Sequence, residues 1–141
     1  MKPQALDIRD LVGVPFKWHG DDPSIGLDCW GLWKNVAKLA KLRLPSDGAL
    51  RYGTGDDVAA GLEALSDHFE PIPVPPPEGW RVGDLIQQDA EQRGAADHLA
   101  SVVDPVRQMA LTTSERSGVI LVRIGLLRNV VGALRVRGSS W

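Results

Sequence analysis

Apolar residues recur along the chain in two rhythms, a helical one in the first half and a strand-like one in the second. Residues 3–12 carry Ala5, Leu6, Ile8, Leu11 and Val12 at roughly helical spacing, which predicts a short helix stopped by Gly13 and Pro15. Residues 16–27 (FKWHGDDPSIGL) read as a loop with turn points at Gly20, Pro23 and Gly26. From residue 29 the positions Cys29, Leu32, Trp33, Val36, Leu39 and Ala40 trace the apolar stripe of an amphipathic helix, with Lys34, Lys38 and Lys41 on its wet side. Asp28 stands where an N-cap belongs, its carboxylate able to accept from the first backbone N–H groups. Residues 54–69 predict a second amphipathic helix, with Val58, Leu62 and Leu65 inward and acidic residues in its first turn.

Residues 71–79 (PIPVPPPEG) hold five prolines and predict an extended surface connector rather than a sheet interior. Short β-like runs follow at 82–87, 98–103, 107–112, 118–124 and 130–137, separated by Asp104-Pro105, Arg116-Ser117-Gly118 and Gly125. Helices first and strands later make an α+β domain: N-terminal helices packed on a mostly antiparallel sheet. With 141 residues and no internal repeat, the expectation is one domain over residues 1–141.

Composition narrows the functional classes. Hydrophobic residues at 43% and charged residues at 24% are ordinary globular usage and exclude a collagen-like or wholly disordered chain. No apolar run approaches the ~20 residues of a membrane-spanning helix, so membrane insertion is not expected. The start, MKPQALDIRD, shows no secretory signal. A net charge of −2 does not suggest a nucleic-acid binder. The charge is uneven, however: residues 47–91 hold ten acidic and two basic side chains, and residues 101–141 hold two acidic and six basic. The C-terminal balance of +4 suits either a solvated face or a basic surface carrying Arg123, Arg128, Arg135 and Arg137 toward a partner subunit.

The single cysteine, Cys29, excludes an intramolecular disulfide and a multi-cysteine zinc site. In the first turn of a helix, free N–H groups and the helix dipole favour a thiolate. A nucleophilic cysteine needs a base, and the chain offers His19, His68 and His98. His19 lies in the loop before Cys29. His68 ends an acidic helix, where exposure is expected. His98 opens an apolar strand (HLASVV) at a sheet end, the place from which a base can reach a helix N-terminus. Burial as a small hydrophobe is the alternative for Cys29. No short-spaced ligand pair points to a metal.

Residues 11–32, LVGVPFKWHGDDPSIGLDCWGL, resemble the nucleophile segment of the NlpC-type, papain-like cysteine peptidases, in particular the branch found in tails of bacteriophages and related particles. The resemblance rests on Gly13, Pro15, Phe16, Gly20, Gly26, Asp28, Cys29, Gly31 and Leu32. Val82-Gly83-Asp84-Leu85-Ile86 resembles the family's Pro-Gly-Asp-Leu strand, and His98-Leu-Ala-Ser-Val-Val its histidine strand. The resemblance implies Cys29 as nucleophile, His98 as base, and the Cys29 N–H as part of an oxyanion site. The family's third polar residue follows the histidine by twelve positions, which is Ala110 here. If the register has shifted, Gln108 or Thr112 on the same strand face takes that role, and Gln108 is the better acceptor for a ring N–H. Phe16 stands where many members have tyrosine.

What the resemblance implies of function is hydrolysis of a bond in peptidoglycan stem peptides as phage DNA enters the cell, without metal or organic cofactor. The expected partners are the stem peptide and other tail tip or hub proteins, and the expected location is the virion tail, after synthesis in the host cytoplasm. A second reading is a structural tail-tip component of the same fold with weak or lost activity. Trp33 is expected in the core and Trp30 beside the cleft. Asp21-Asp22 suits a solvated turn or a reader of a cationic group on the substrate.

Overall fold

A computed structural model describes residues 6–45, 62, 65–92, 94 and 96–138. Most of the helix expected over 54–69 lies outside the described residues. Its end does not fit a helix, because residues 65–68 form a turn and the next strand starts at Phe69. The elements are a two-residue hairpin, β1 (Asp21–Asp22) and β2 (Gly26–Leu27), helix α1 (Cys29–Leu39), and six strands. These are β3 (Phe69–Ile72), β4 (Leu85–Gln88), β5 (His98–Asp104), β6 (Met109–Ser114), β7 (Gly118–Arg123) and β8 (Val130–Val136). The six form one sheet in the order β3-β8-β4-β5-β6-β7, antiparallel at every pairing.

Of the N-terminal helices expected, α1 forms in full; of the one over 54–69, Leu62 is helical and most of the rest lies outside the described residues. Leu6, Ile8 and Leu11 instead pack with Val103, Leu111 and Val119 of the sheet, and Val12 is exposed. Leu6 N–H donates to Val103 O and Gly13 N–H to Val119 O, so backbone groups a helix would use internally are taken by β5 and β7. Local closure is limited to turns, with Leu11 and Val12 N–H donating to Ile8 O and Val14 N–H to Leu11 O. The proline-rich stretch also begins differently, since Phe69–Ile72 pairs with β8 as an edge strand. An edge position tolerates Pro71, which has no N–H to give to a second neighbour.

Side-chain alternation gives the sheet two buried faces. Against α1 lie Leu85, Leu99, Val103, Leu111, Val119, Phe69 and Val136, joined by Trp33, Leu32, Val36 and Ala37 of the helix. The other face buries Trp80, Ile86, Ala100, Val102, Ala110, Ile124 and Ala133. Both faces being apolar explains why β5 reads HLASVV as a nearly continuous hydrophobic run rather than an alternating one.

Candidate active site

The N-terminus of α1 is fixed by Asp28. Its Oδ1 accepts from Gly31 N–H at 2.7 Å, the N-cap bond expected from sequence, and its Oδ2 accepts from His19 N–H at 2.8 Å. One buried carboxylate thereby ties the helix start to the preceding loop. Asp28 N–H closes the same contact by donating to Gly20 O. The approach is so tight that a Cβ on Gly31 would lie 1.8 Å from Gly20 O, and one on Gly20 would lie 2.3 Å from Gly26 O. Gly20, Gly26 and Gly31 are therefore the residues that let the hairpin press against the first turn of α1. Cys29 sits in that turn, 5% exposed, with its N–H among the four that an α-helix leaves without an internal acceptor.

His98 is the first residue of β5 and is half-buried. Burial pushes its imidazole below the ordinary histidine range, and the neighbouring Asp97 carboxylate partly offsets this. Asp97 itself is held by Ala90 and Glu91 N–H groups at 2.7 and 2.9 Å. The His98 Nε2 is hydrogen-bonded to Thr112 Oγ1 at 2.5 Å.

The structure thus brings Thr112, and not Gln108, to the ring. Strand β6 starts at Met109, two residues later than the expected 107–112, because a four-residue turn over 105–108 separates it from β5. Asp104 Oδ1 braces that turn by accepting from Arg107 N–H. Gln108 is exposed at the end of the turn with φ +56, and its carbonyl accepts from Ile124 N–H. It lies four residues from Thr112, ~13 Å along an extended chain. Ala110 is buried in the far-face core, directly opposite Val102.

Helix α1 packs on β5 and β6. Cys29 at its start shares a buried cluster with Leu99, the residue after His98, whereas Val36, two turns on, belongs with Val103 and Leu111.

Several other candidates fall elsewhere. Trp33 is in the core as expected, its Nε1–H donating to Gly83 O at 2.8 Å. Trp30, expected at the cleft, is 3% exposed and stacks on Trp33 with centroids 4.9 Å apart. His68, expected in solvent, is also buried; its Nε2–H donates to Arg43 O and its ring packs edge-on against Phe69. Burial draws its imidazole below the usual range as well. His19 is exposed, with φ +61. Asp21 pairs with Lys34 at 3.0 Å, which lowers its carboxyl and leaves less charge for a cationic ligand. Asp22 accepts from Ser24 N–H and Oγ–H, an ordinary turn. Phe16 packs edge-on with Trp18, and the Trp18 indole donates to Glu115. Among the described residues no group of three or more His, Cys, Asp or Glu could hold a metal ion, and no helix is long and apolar enough to cross a membrane.

Arg135 corrects the expectation of an arginine surface. It is buried, with Nε and Nη2 donating to the two oxygens of Asp84 at 2.9 and 2.8 Å and Nη2 also to Gly79 O. The Asp84 carboxylate raises the guanidinium further above its usual range. Asp84 also accepts from Arg81 N–H, so the Gly-Asp-Leu segment is an anchor between β4 and β8. Sequence reading placed Asp84 in a motif but had no signal for its partner 51 residues on.

No family model matches the chain. Over 97 residues it is 30% identical to "Murein DD-endopeptidase MepH" of Escherichia coli (strain K12), a match covering 68% of this chain and 30% of that protein. It superposes on the crystal structure of an NlpC/P60 family protein from Bacillus cereus ATCC 10987 with a TM-score of 0.56 and 18% sequence identity, over 89% of this chain and 36% of that one. The fold is that of an NlpC/P60 protein. The chain spans about a third of the length of each relative. In this NlpC/P60-type fold the expected elements, a helix opening on cysteine and an antiparallel sheet with a histidine-bearing strand, are both present.

Proposed function

We propose that this chain is a cysteine peptidase domain that hydrolyses a bond in peptidoglycan stem peptides, with Cys29 as nucleophile, His98 as base and Thr112 holding the base in place. The observation that carries the proposal is a helix opening on Cys29 that shares a buried cluster with Leu99, the neighbour of His98, while His98 is tethered through Nε2 to Thr112. Similarity to a murein endopeptidase supports the substrate class.

By strand alternation His98 shares a face with Ala100, opposite to α1, so its ring meets the thiol around the end of the sheet rather than through it. In the tautomer that donates Nε2–H to the Thr112 hydroxyl, Nδ1 is the nitrogen that takes the Cys29 proton. The sulfur then attacks the peptide carbonyl, and the Cys29 N–H and helix N-terminus stabilise the oxyanion. His98 returns the proton to the departing amine, and water releases the acyl group from sulfur. Burial keeps His98 neutral, and so able to accept a proton, at neutral pH.

The resemblance of residues 11–32 to the phage-tail branch supports a working place in the tail of a phage or related particle, beside other tip or hub proteins. The low exposure of Cys29 favours a second reading, a tail-tip component of this fold with little activity.

Alkylation by iodoacetamide across pH separates the two, because Cys29 is the only thiol. The peptidase reading expects an apparent thiol pKa well below ~8.5, returning toward it in His98→Ala, together with digestion of purified peptidoglycan. A thiol inert until unfolding, with no digestion, overturns it in favour of the structural reading.

A further inference from the structure

A cavity of about 360 Å³ opens on the α1-facing side of the sheet, lined by Leu62, Ser66, Phe69, Pro71, Gln87, Leu134 and Arg137. Leu62 and Phe69 belong to the same buried cluster as Cys29, with Leu134 packed against it. Gln87 is paired directly with Leu99, the neighbour of His98. The cavity therefore adjoins the candidate site, one strand away from the catalytic end of β5.

Its lining is apolar except for Ser66, Gln87 and Arg137, and Arg137 supplies its only formal charge. The contrast with Arg135 is informative. Both Asp84 oxygens occupy the Arg135 guanidinium, whereas exposed Arg137 donates Nε to Ser66 O at 3.2 Å and forms no ion pair with a described residue. Its backbone N–H donates to His68 O, which anchors the residue at the cavity edge. Gln87 is accommodated by a missing side chain: a Cβ on Gly132 would lie 2.8 Å from Gln87 Oε1. The glycine leaves room for the Gln87 amide to lie across β8 and face the cavity.

An apolar floor with a guanidinium and an amide at the rim suits a short aliphatic stem ending in a carboxylate. We propose that this cavity is a substrate subsite that holds a carboxylate-bearing residue of the peptide, with Arg137 as its charge partner and Gln87 as a second donor. The assignment builds on the peptidase reading, which supplies a peptide rich in carboxylates, and makes Arg137 a specificity-determining residue rather than a catalytic one.

The test measures binding to Cys29→Ala protein of a stem tetrapeptide with free carboxylates and of the same peptide with its carboxylates amidated. The free-carboxylate peptide is expected to bind about 10–100-fold more tightly, the scale of a charge-assisted pair. Arg137→Ala should erase that preference, Arg137→Lys should restore part of it, and Gly132→Ala should weaken it by displacing Gln87. Thermal melting of each variant establishes that it is folded. Equal binding of the two peptides, binding of neither, or a preference that survives Arg137→Ala overturns the subsite. Turnover by the unmodified protein is scored separately. Cleavage without carboxylate preference defeats the subsite and leaves the peptidase reading standing, whereas preference with an inert thiol does the reverse.

Discussion

Gly31 and Gly20 meet so closely that the Gly20 carbonyl oxygen occupies the space of a Gly31 side chain. The contact presses the β1–β2 hairpin onto the first turn of α1 and so decides where Cys29 sits. Gly31→Ala must push the two apart and disturb both bonds to Asp28. A loss of about 1–3 kcal/mol is expected from such overpacking, read as a lower urea midpoint with unchanged slope. The Cys29 alkylation rate should change with it.

Asp84 and Arg135 form a buried, two-pronged ion pair that joins β4 to β8. Removing one partner leaves the other charge buried. Asp84→Ala should cost about 3–5 kcal/mol. Arg135→Met with Asp84→Leu should be milder than the single change, since no charge is then stranded. Chemical denaturation of the single and double variants checks this.

In the proposed reaction Thr112 acts through His98, to which it is hydrogen-bonded. Thr112→Val keeps the shape and removes the hydroxyl, so kcat should fall about 2–10-fold, the scale of one hydrogen bond, with KM nearly unchanged. Thr112→Ser should retain most of the activity. Gln108→Ala, in the exposed turn, should leave kcat as it is. A large loss at Gln108 and none at Thr112 would reverse the assignment.

The pH dependence follows from His68 and His98, both of which burial draws below the ordinary histidine value of 6.5. In the unfolded chain each binds a proton at a higher pH than in the fold. Stability from these two groups is full above about pH 6.5 and declines as pH falls below it, where the unfolded state takes up protons first. Melting temperatures at stepped pH should show that decline, and His68→Gln and His98→Gln should each flatten it. Activity should persist below pH 6.5, until His98 itself protonates.

Local rules were enough to read the helix from Cys29, its Asp28 cap and the run of strands. Each depends on periodicity or on contacts three residues apart, which the order of residues carries directly. Cys29 and His98 were read as a candidate pair through the resemblance of their flanking segments. What the order of residues did not carry was anything settled by distant partners. The segment 3–12 has helical spacing, yet Leu6 bonds to β5, Gly13 just after the segment bonds to β7, and a turn forms at Ile8–Val12. His68 and Trp30 look like surface residues until the core cluster around Phe69 forms over them. Arg135 and Arg137 sit two apart on one basic tail, yet one is buried against Asp84 and the other stands at the rim of a cavity. Gln108 and Thr112 were equivalent by alternation, and hairpin length alone separated them. Sequence thus determined the helix from Cys29, its cap and the run of strands, because those follow from local backbone chemistry. Tertiary packing decided which residues meet, because a turn two residues longer or a partner 51 residues away leaves no local trace.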